Sequence, residues 1–209
     1  MVPFETSLIK IYQFFLYLSV IFYFLFRNFN VINIEHNIDK QCLCLPPAGF
    51  RIQIVLEKIK DILPLPNNWT VTGISTGAIL GCFVTLGFTH SDIKLFMENM
   101  YSKCKNVKAS HLNYILETWL REVLPDDAYI RCNSRLIIRI TRFPERKPVL
   151  VSQFDDQEHL IVTLCTSCSI PLIQDTWPPR HNDVDGGFTI DCITVGKTPV
   201  VISLPTLPW

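Results

Sequence analysis

Residues 70–82, TVTGISTGAILGC, pass from a β-branched run, through a serine set between two glycines, into a small and apolar run. TVTG has the composition of a short buried strand, and STGAILGCFVTLG that of a buried helix. A strand that turns sharply at Gly-x-Ser-x-Gly and enters a helix at once is the setting in which a serine hydroxyl is presented as a nucleophile. Gly73 and Gly77 let the strand and helix approach without Cβ clashes. Ser75 then sits at a helix N-terminus, where the macrodipole stabilises developing negative charge, and the Thr76 N–H faces the same oxyanion. The same five residues also suit an ordinary turn that opens a helix. A nucleophile is therefore recognised by its partners.

Outward from this stretch the chain alternates. KQCLCLPP is a short apolar run ended by prolines, the signature of a buried strand. GFRIQIVLEKIKDIL carries Ile52, Val55, Leu56, Ile59 and Ile62 at helical spacing and stops at Pro64. HSDIKLFMENMYSKC reads as a helix capped by Ser91, and HLNYILETWLREVLP as an amphipathic helix ending before Pro125. From Arg135 the period changes: RLIIRITRF and KPVLVSQF are strands joined by a hairpin turn at ERKP, and TPVVISLP is a further strand. Strand, helix, strand, helix and then a hairpin predicts an α/β fold, layered around a mixed sheet. The basic residues Arg135, Arg139, Arg142, Arg146 and Lys147 fall on different strand faces and are expected to be solvated rather than to form one anionic-lipid patch.

Composition narrows the function. The 209 residues carry 19 basic and 19 acidic side chains, so no net basic face argues for nucleic acid. Hydrophobic residues make up 48% of the chain, which points instead to lipid. The N-terminal stretch between Lys10 and Arg27 is almost wholly apolar and aromatic, somewhat short of the ~20 residues that cross a bilayer, though snorkelling of the two flanking cations extends it. We expect a hydrophobic helix here, an anchor or signal-like segment over residues 1–30, with a membrane or lipid-droplet surface as its partner. The eight cysteines are scattered, and Cys165 and Cys168 form a CxxC without a second pair at zinc-site spacing. Reduced thiols and a cytosol-facing domain at the endoplasmic reticulum or a lipid droplet are expected.

A catalytic serine needs a base. Ser75 followed by Asp155 or Asp156 and by His159 or His181 satisfies the serine, acid, histidine order of a triad. NDVDGGF offers a second solution, because Asp185 precedes Gly186 and Gly187 and can sit on a tight turn. A carboxylate takes a serine proton directly when burial raises its basicity.

GISTG together with DVDGG resembles the patatin-like phospholipases, and more narrowly the branch containing adiponutrin and adipose triglyceride lipase. SRLIIRITRF, VLVSQFDDQEHLI, LCTSCSIPLI and the spacing from DVDGGF to TPVVISLP agree with that branch in order, so the resemblance spans residues 40–209. It implies a three-layer α/β/α sandwich with a mixed central sheet, Ser75 as nucleophile and Asp185 as base. It also implies acylglycerol or phospholipid esters as substrate, with no metal or cofactor. One departure stands out. Where the family has a glycine-rich oxyanion loop, this chain has CLPPAGFRIQ, with Pro47 in the place of the first glycine and Ile52 in that of the last. Proline supplies no N–H. The expected donors are Ala48, Gly49 and Thr76, and the altered loop leaves a catalytically weak or silent lipid-binding module as the alternative to a lipid acyl hydrolase.

Overall fold

A computed structural model describes residues 30–34, 41–143, 145–171, 183–188, 191–195 and 199–202. The expected N-terminal hydrophobic helix and His181 lie outside these residues. Among the described residues no helix is long and apolar enough to cross a membrane.

In chain order the strands are β1 (Asn30–Ile34), β2 (Cys42–Leu45), β3 (Thr70–Ile74), β4 (Leu136–Arg142), β5 (Lys147–Val151), β6 (Asp183–Asp185), β7 (Asp191–Val195) and β8 (Pro199–Val201). The helices are α1 (Ile52–Ile59), α2 (Thr76–Thr85), α3 (His90–Cys104), α4 (Leu112–Val123), α5 (Ala128–Cys132) and α6 (Gln157–Ser167). The main sheet is six-stranded, in the order β5-β4-β3-β2-β8, with β6 also paired to β4. β8, β2, β3 and β4 run parallel, and β5 and β6 are antiparallel to β4. This is the mixed sheet the strand pattern predicts, with helices on both sides. β1 pairs in parallel with β7 in a separate two-stranded sheet, so the folded part begins ahead of residue 40.

Alternation along each strand divides the core. Leu43, Leu45, Val71, Leu136 and Ile138 enter the main cluster with the helices, while Cys42, Cys44 and Ile137 form a small cluster on the opposite face. α2 is buried on nearly every side, as its uniformly small and apolar sequence requires. Its Phe83 anchors the helix layer, with ring centroids 5.5 Å from Phe96 of α3 and 5.7 Å from Trp119 of α4.

Two sequence expectations are corrected. The cap of α3 is Thr89, not Ser91: the Thr89 hydroxyl accepts the Asp92 N–H at 3.2 Å while Asp92 Oδ2 accepts the Thr89 N–H at 3.0 Å. Only Thr89 has an acid three residues on, which a reciprocal capping box needs. Arg139 is not solvated. It is 2% exposed, because it occupies β4 opposite Ile74 of β3 on one side and Leu150 of β5 on the other. Arg142, Arg146 and Lys147 are exposed, as expected.

Candidate active site

The sheet itself brings Ser75 and Asp185 together. β3 runs beside β4 until Ile74 stands opposite Arg139. One residue further along β4, Ile140 stands opposite Asp185 of the antiparallel strand β6. β3 and β6 therefore approach head-on along the same edge of β4, and the chain leaving Ile74 meets Asp185. Both must turn out of the sheet there. Ser75 does so with φ 55° and ψ −131°, a conformation that costs a non-glycine residue about 1–3 kcal/mol and is held only where its surroundings over-determine it. Thr76 then begins α2, with Ser75 as its N-cap residue.

Sterics explain the flanking glycines. A Cβ on Gly73 would come within 2.5–2.7 Å of Gly77 and Ala78 backbone atoms, and one on Gly77 would come closer than 3.0 Å to the carbonyl oxygens of Leu45 and Pro46. A Cβ on Gly186 would likewise come closer than 3.0 Å to the Arg139 carbonyl. The Gly187 N–H donates to Asp185 Oδ1 at 2.7 Å, closing the turn after the carboxylate.

Asp185 is 1% exposed, and its pKa is pushed up to about 7. Burial is the main cause, offset by the Gly187 N–H, the Ser75 hydroxyl and the Arg139 charge. The Ser75 hydroxyl is thus close enough to act on the carboxyl, while Oδ2 is buried without a hydrogen bond of good geometry. One carboxylate oxygen is tied to the backbone and the other is left without a hydrogen bond in the buried site.

The end of α6 closes the site from the far side. Ser167 Oγ accepts the Ser75 N–H at 2.9 Å and donates to the Arg139 carbonyl at 2.7 Å. The Asp185 N–H donates to the Ser169 carbonyl at 2.9 Å. Between them, the Cys168 thiol is pushed well up, first by burial and then by Asp185, with Ser75 acting in the opposite sense, so it lies against both. In the sequence this segment, LCTSCSIPLI, carries the family resemblance and a CxxC of reduced thiols, and Ser167 stands out in neither. Small polar residues at alternate positions between a helix end and Pro171 were the signal available.

The loop between β2 and α1 packs on the start of α2, where the missing Cβ of Gly77 admits it. Of the expected donors, the Ala48 N–H donates to Thr76 Oγ1 at 3.3 Å instead of standing open. Gly49 has φ 51° with free space around its α-carbon. Phe50, next to it, is 69% exposed.

The histidine alternative is not assembled from His159. That residue stands at the first turn of α6, where Nδ1 lies 3.2 Å from Asp155 Oδ2 and Asp156 caps the helix by accepting the His159 N–H at 2.7 Å. At 1.5 Å per residue the helix holds His159 about 12 Å from Ser167, the residue that touches Ser75. Among the described residues no group of three or more potential metal ligands is present. No disulfide joins Cys42, Cys44, Cys82, Cys104, Cys132, Cys165 or Cys168, and the Cys82 and Cys132 sulfurs lie 3.8 Å apart in the core.

The family model for patatin-like phospholipases matches residues 70–193, from the strand that carries the elbow, past Asp185, into β7. The chain belongs to the patatin-like phospholipase family. Members of this family are acyl hydrolases and transacylases. Similar family members include human omega-hydroxyceramide transacylase, 27% identical over 151 residues that cover 64% of this chain and 27% of the relative. Mouse 1-acylglycerol-3-phosphate O-acyltransferase Pnpla3 is 28% identical over 145 residues, covering 64% of this chain and 35% of the relative. Its human counterpart is 26% identical over 141 residues, 63% and 29% of the two chains. The matched part thus spans about a quarter to a third of the length of these relatives.

Proposed function

We propose that this chain is a lipid acyl hydrolase or transacylase in which Ser75 and Asp185 act as a dyad on acylglycerol or phospholipid esters. The observation that carries it is the head-on approach of β3 and β6 along β4, which presents a strained serine to a buried, half-satisfied carboxylate. Asp185 takes the Ser75 proton as Oγ attacks the acyl carbonyl carbon, and the tetrahedral oxyanion is held by the Gly49 and Thr76 N–H groups. Collapse breaks the ester bond and returns that proton to the departing alcohol. Asp185 then deprotonates water, which attacks the acyl-Ser75 ester, and the fatty acid leaves as Ser75 regains its proton. An acceptor hydroxyl in place of water gives acyl transfer with the same residues, the chemistry that the names of the ceramide and glycerophosphate relatives describe. No step calls for a metal or nucleotide.

A weak or silent lipid-binding module remains the second reading, favoured by the engaged Ala48 N–H and by Pro47, which has none to offer. The substrate reaches the site at a membrane or lipid-droplet surface on the cytosolic side, a reading supported by the apolar stretch between Lys10 and Arg27 and by exposed Phe50. Labelling of the full chain with a fluorophosphonate decides between the two readings. Covalent capture at Ser75, lost in Ser75→Ala, supports the enzyme; a chain that stays unlabelled is the silent module.

A further inference from the structure

Along β3, the Val71 N–H donates at 2.7 Å to the carbonyl of Arg135, the residue just before β4. In a parallel ladder, donors toward one neighbour recur every second residue. The rung that follows Gly73 therefore belongs to the Ser75 N–H, and its acceptor in register is the Arg139 carbonyl. The elbow turns the Ser75 N–H away from that position. The rung is completed through a third party: the N–H donates to Ser167 Oγ at 2.9 Å, and Ser167 Oγ donates to the Arg139 carbonyl at 2.7 Å. A hydroxyl has one proton to give and lone pairs to accept with, so this use matches its capacity. Ser167 is 0% exposed, and the polar groups it joins are buried among the sheet and α6, where an unsatisfied donor is costly.

The same Arg139 carbonyl is the atom against which Gly186 closes, immediately after Asp185. One carbonyl is therefore the common reference for both sides of the dyad: the serine through Ser167, and the carboxylate through the close approach of Gly186. The Ser169 carbonyl holds the Asp185 N–H two residues beyond Ser167. We propose that Ser167 is a positioning residue for acyl transfer, its hydroxyl inserted as a bridge into the last rung between β3 and β4 so that the strained Ser75 is held in register with Asp185.

The proposal rests on Ser75 being the nucleophile only for its catalytic consequence, and the experiment separates the two. In the full chain, amide hydrogen exchange at Ser75 is compared in wild type, Ser167→Ala, Ser167→Cys and the control Thr163→Ala. Thr163 is also buried on α6, but its hydroxyl donates to the His159 carbonyl at 2.7 Å, away from the elbow. Ser167→Ala should raise Ser75 exchange at least ~10-fold while amides of β2 and β4 keep their protection, and Thr163→Ala should leave Ser75 unchanged. In parallel, turnover of a short-chain ester by Ser167→Ala should fall ~10²-fold in kcat with KM nearly constant, because displacement of a reacting group by about 1 Å costs that much. Ser167→Cys, nearly isosteric but a weak donor and acceptor, should lie between, and it carries the comparison if the alanine variant does not fold. Unchanged Ser75 exchange in Ser167→Ala, or the same rise across all amides, overturns the proposal. If wild type is inert while Ser75 exchange still responds, the bridge stands and the nucleophile reading falls.

Discussion

Asp185 has to be ionised to act as a base, yet it sits where ionisation is disfavoured. Its pKa near 7, against an ordinary 3.8, sets opposite trends for activity and stability. Activity should rise with pH, with kcat/KM on a short-chain ester reaching half its plateau near pH 7; a midpoint near 4 would remove Asp185 as the base. Stability runs the other way. Because the folded state binds the proton more tightly, its contribution is complete below pH 3.8 and lost as pH rises to about 7. The shift corresponds to roughly 4 kcal/mol as a ceiling. Asp185→Asn cannot ionise, so its urea-denaturation stability should gain on wild type between pH 4 and 7 while its activity vanishes; parallel stability curves would show that the carboxyl is solvated. Ser75 offers a matching test. Ser75→Ala should abolish turnover yet keep the strain at φ 55°, whereas Ser75→Gly should abolish turnover and be about 1 kcal/mol more stable than the alanine variant. Equal stabilities would mean that the elbow bears no strain.

At the scale of elements, α2 and the β2–α1 loop are fitted to each other through a missing methyl group. Gly→Ala inside a helix ordinarily stabilises by about 1 kcal/mol. Gly77→Ala should do the reverse, by about 1–3 kcal/mol, because its Cβ meets the Leu45 and Pro46 carbonyls; a chemical-denaturation midpoint that rises would contradict the packing described. Pro47→Gly acts on the same loop from the other side. It restores an N–H and frees φ, so kcat should rise ~10²-fold with KM nearly unchanged if an oxyanion donor is what the loop lacks, and not at all if Gly49 and Thr76 suffice. The elbow, the hairpin and the amphipathic α4 were all legible in the sequence, because each rests on local chemistry: glycines about a serine, a turn between two apolar runs, or a 3.6-residue period. The role of Ser167 was not, since it depends on a contact with Ser75, 92 residues away. Arg139 was misread because strand periodicity assigns a face and says nothing of whether that face is covered. β6 escaped notice as a strand because three residues leave no period, although its Asp185-Gly-Gly turn was clear.

At the scale of the whole molecule, the proposed lipid contact has two candidate carriers. The pairing of β1 with β7 begins at Asn30, so a chain cut just before Asn30 keeps every described strand, and the loss of the apolar stretch between Lys10 and Arg27 can be measured by itself. That truncated chain should float free of phosphatidylcholine vesicles that carry the full chain down in a spin assay, because the removed run is long enough to bury in the headgroup and acyl boundary. The domain still offers a smaller contact. Phe50 stands exposed beside the candidate oxyanion loop, its ring 5.7 Å from Tyr101, whose hydroxyl donates to the Phe50 carbonyl at 2.9 Å. A phenylalanine braced in this way loses little conformational entropy on entering an interface. It also borders the loop that an ester must reach. If the truncated chain sediments with vesicles as strongly as the full one, the anchor assignment is wrong and the domain carries the contact. Phe50→Ser in the truncated chain should then release it, and binding that survives this change as well would place the lipid surface away from the elbow.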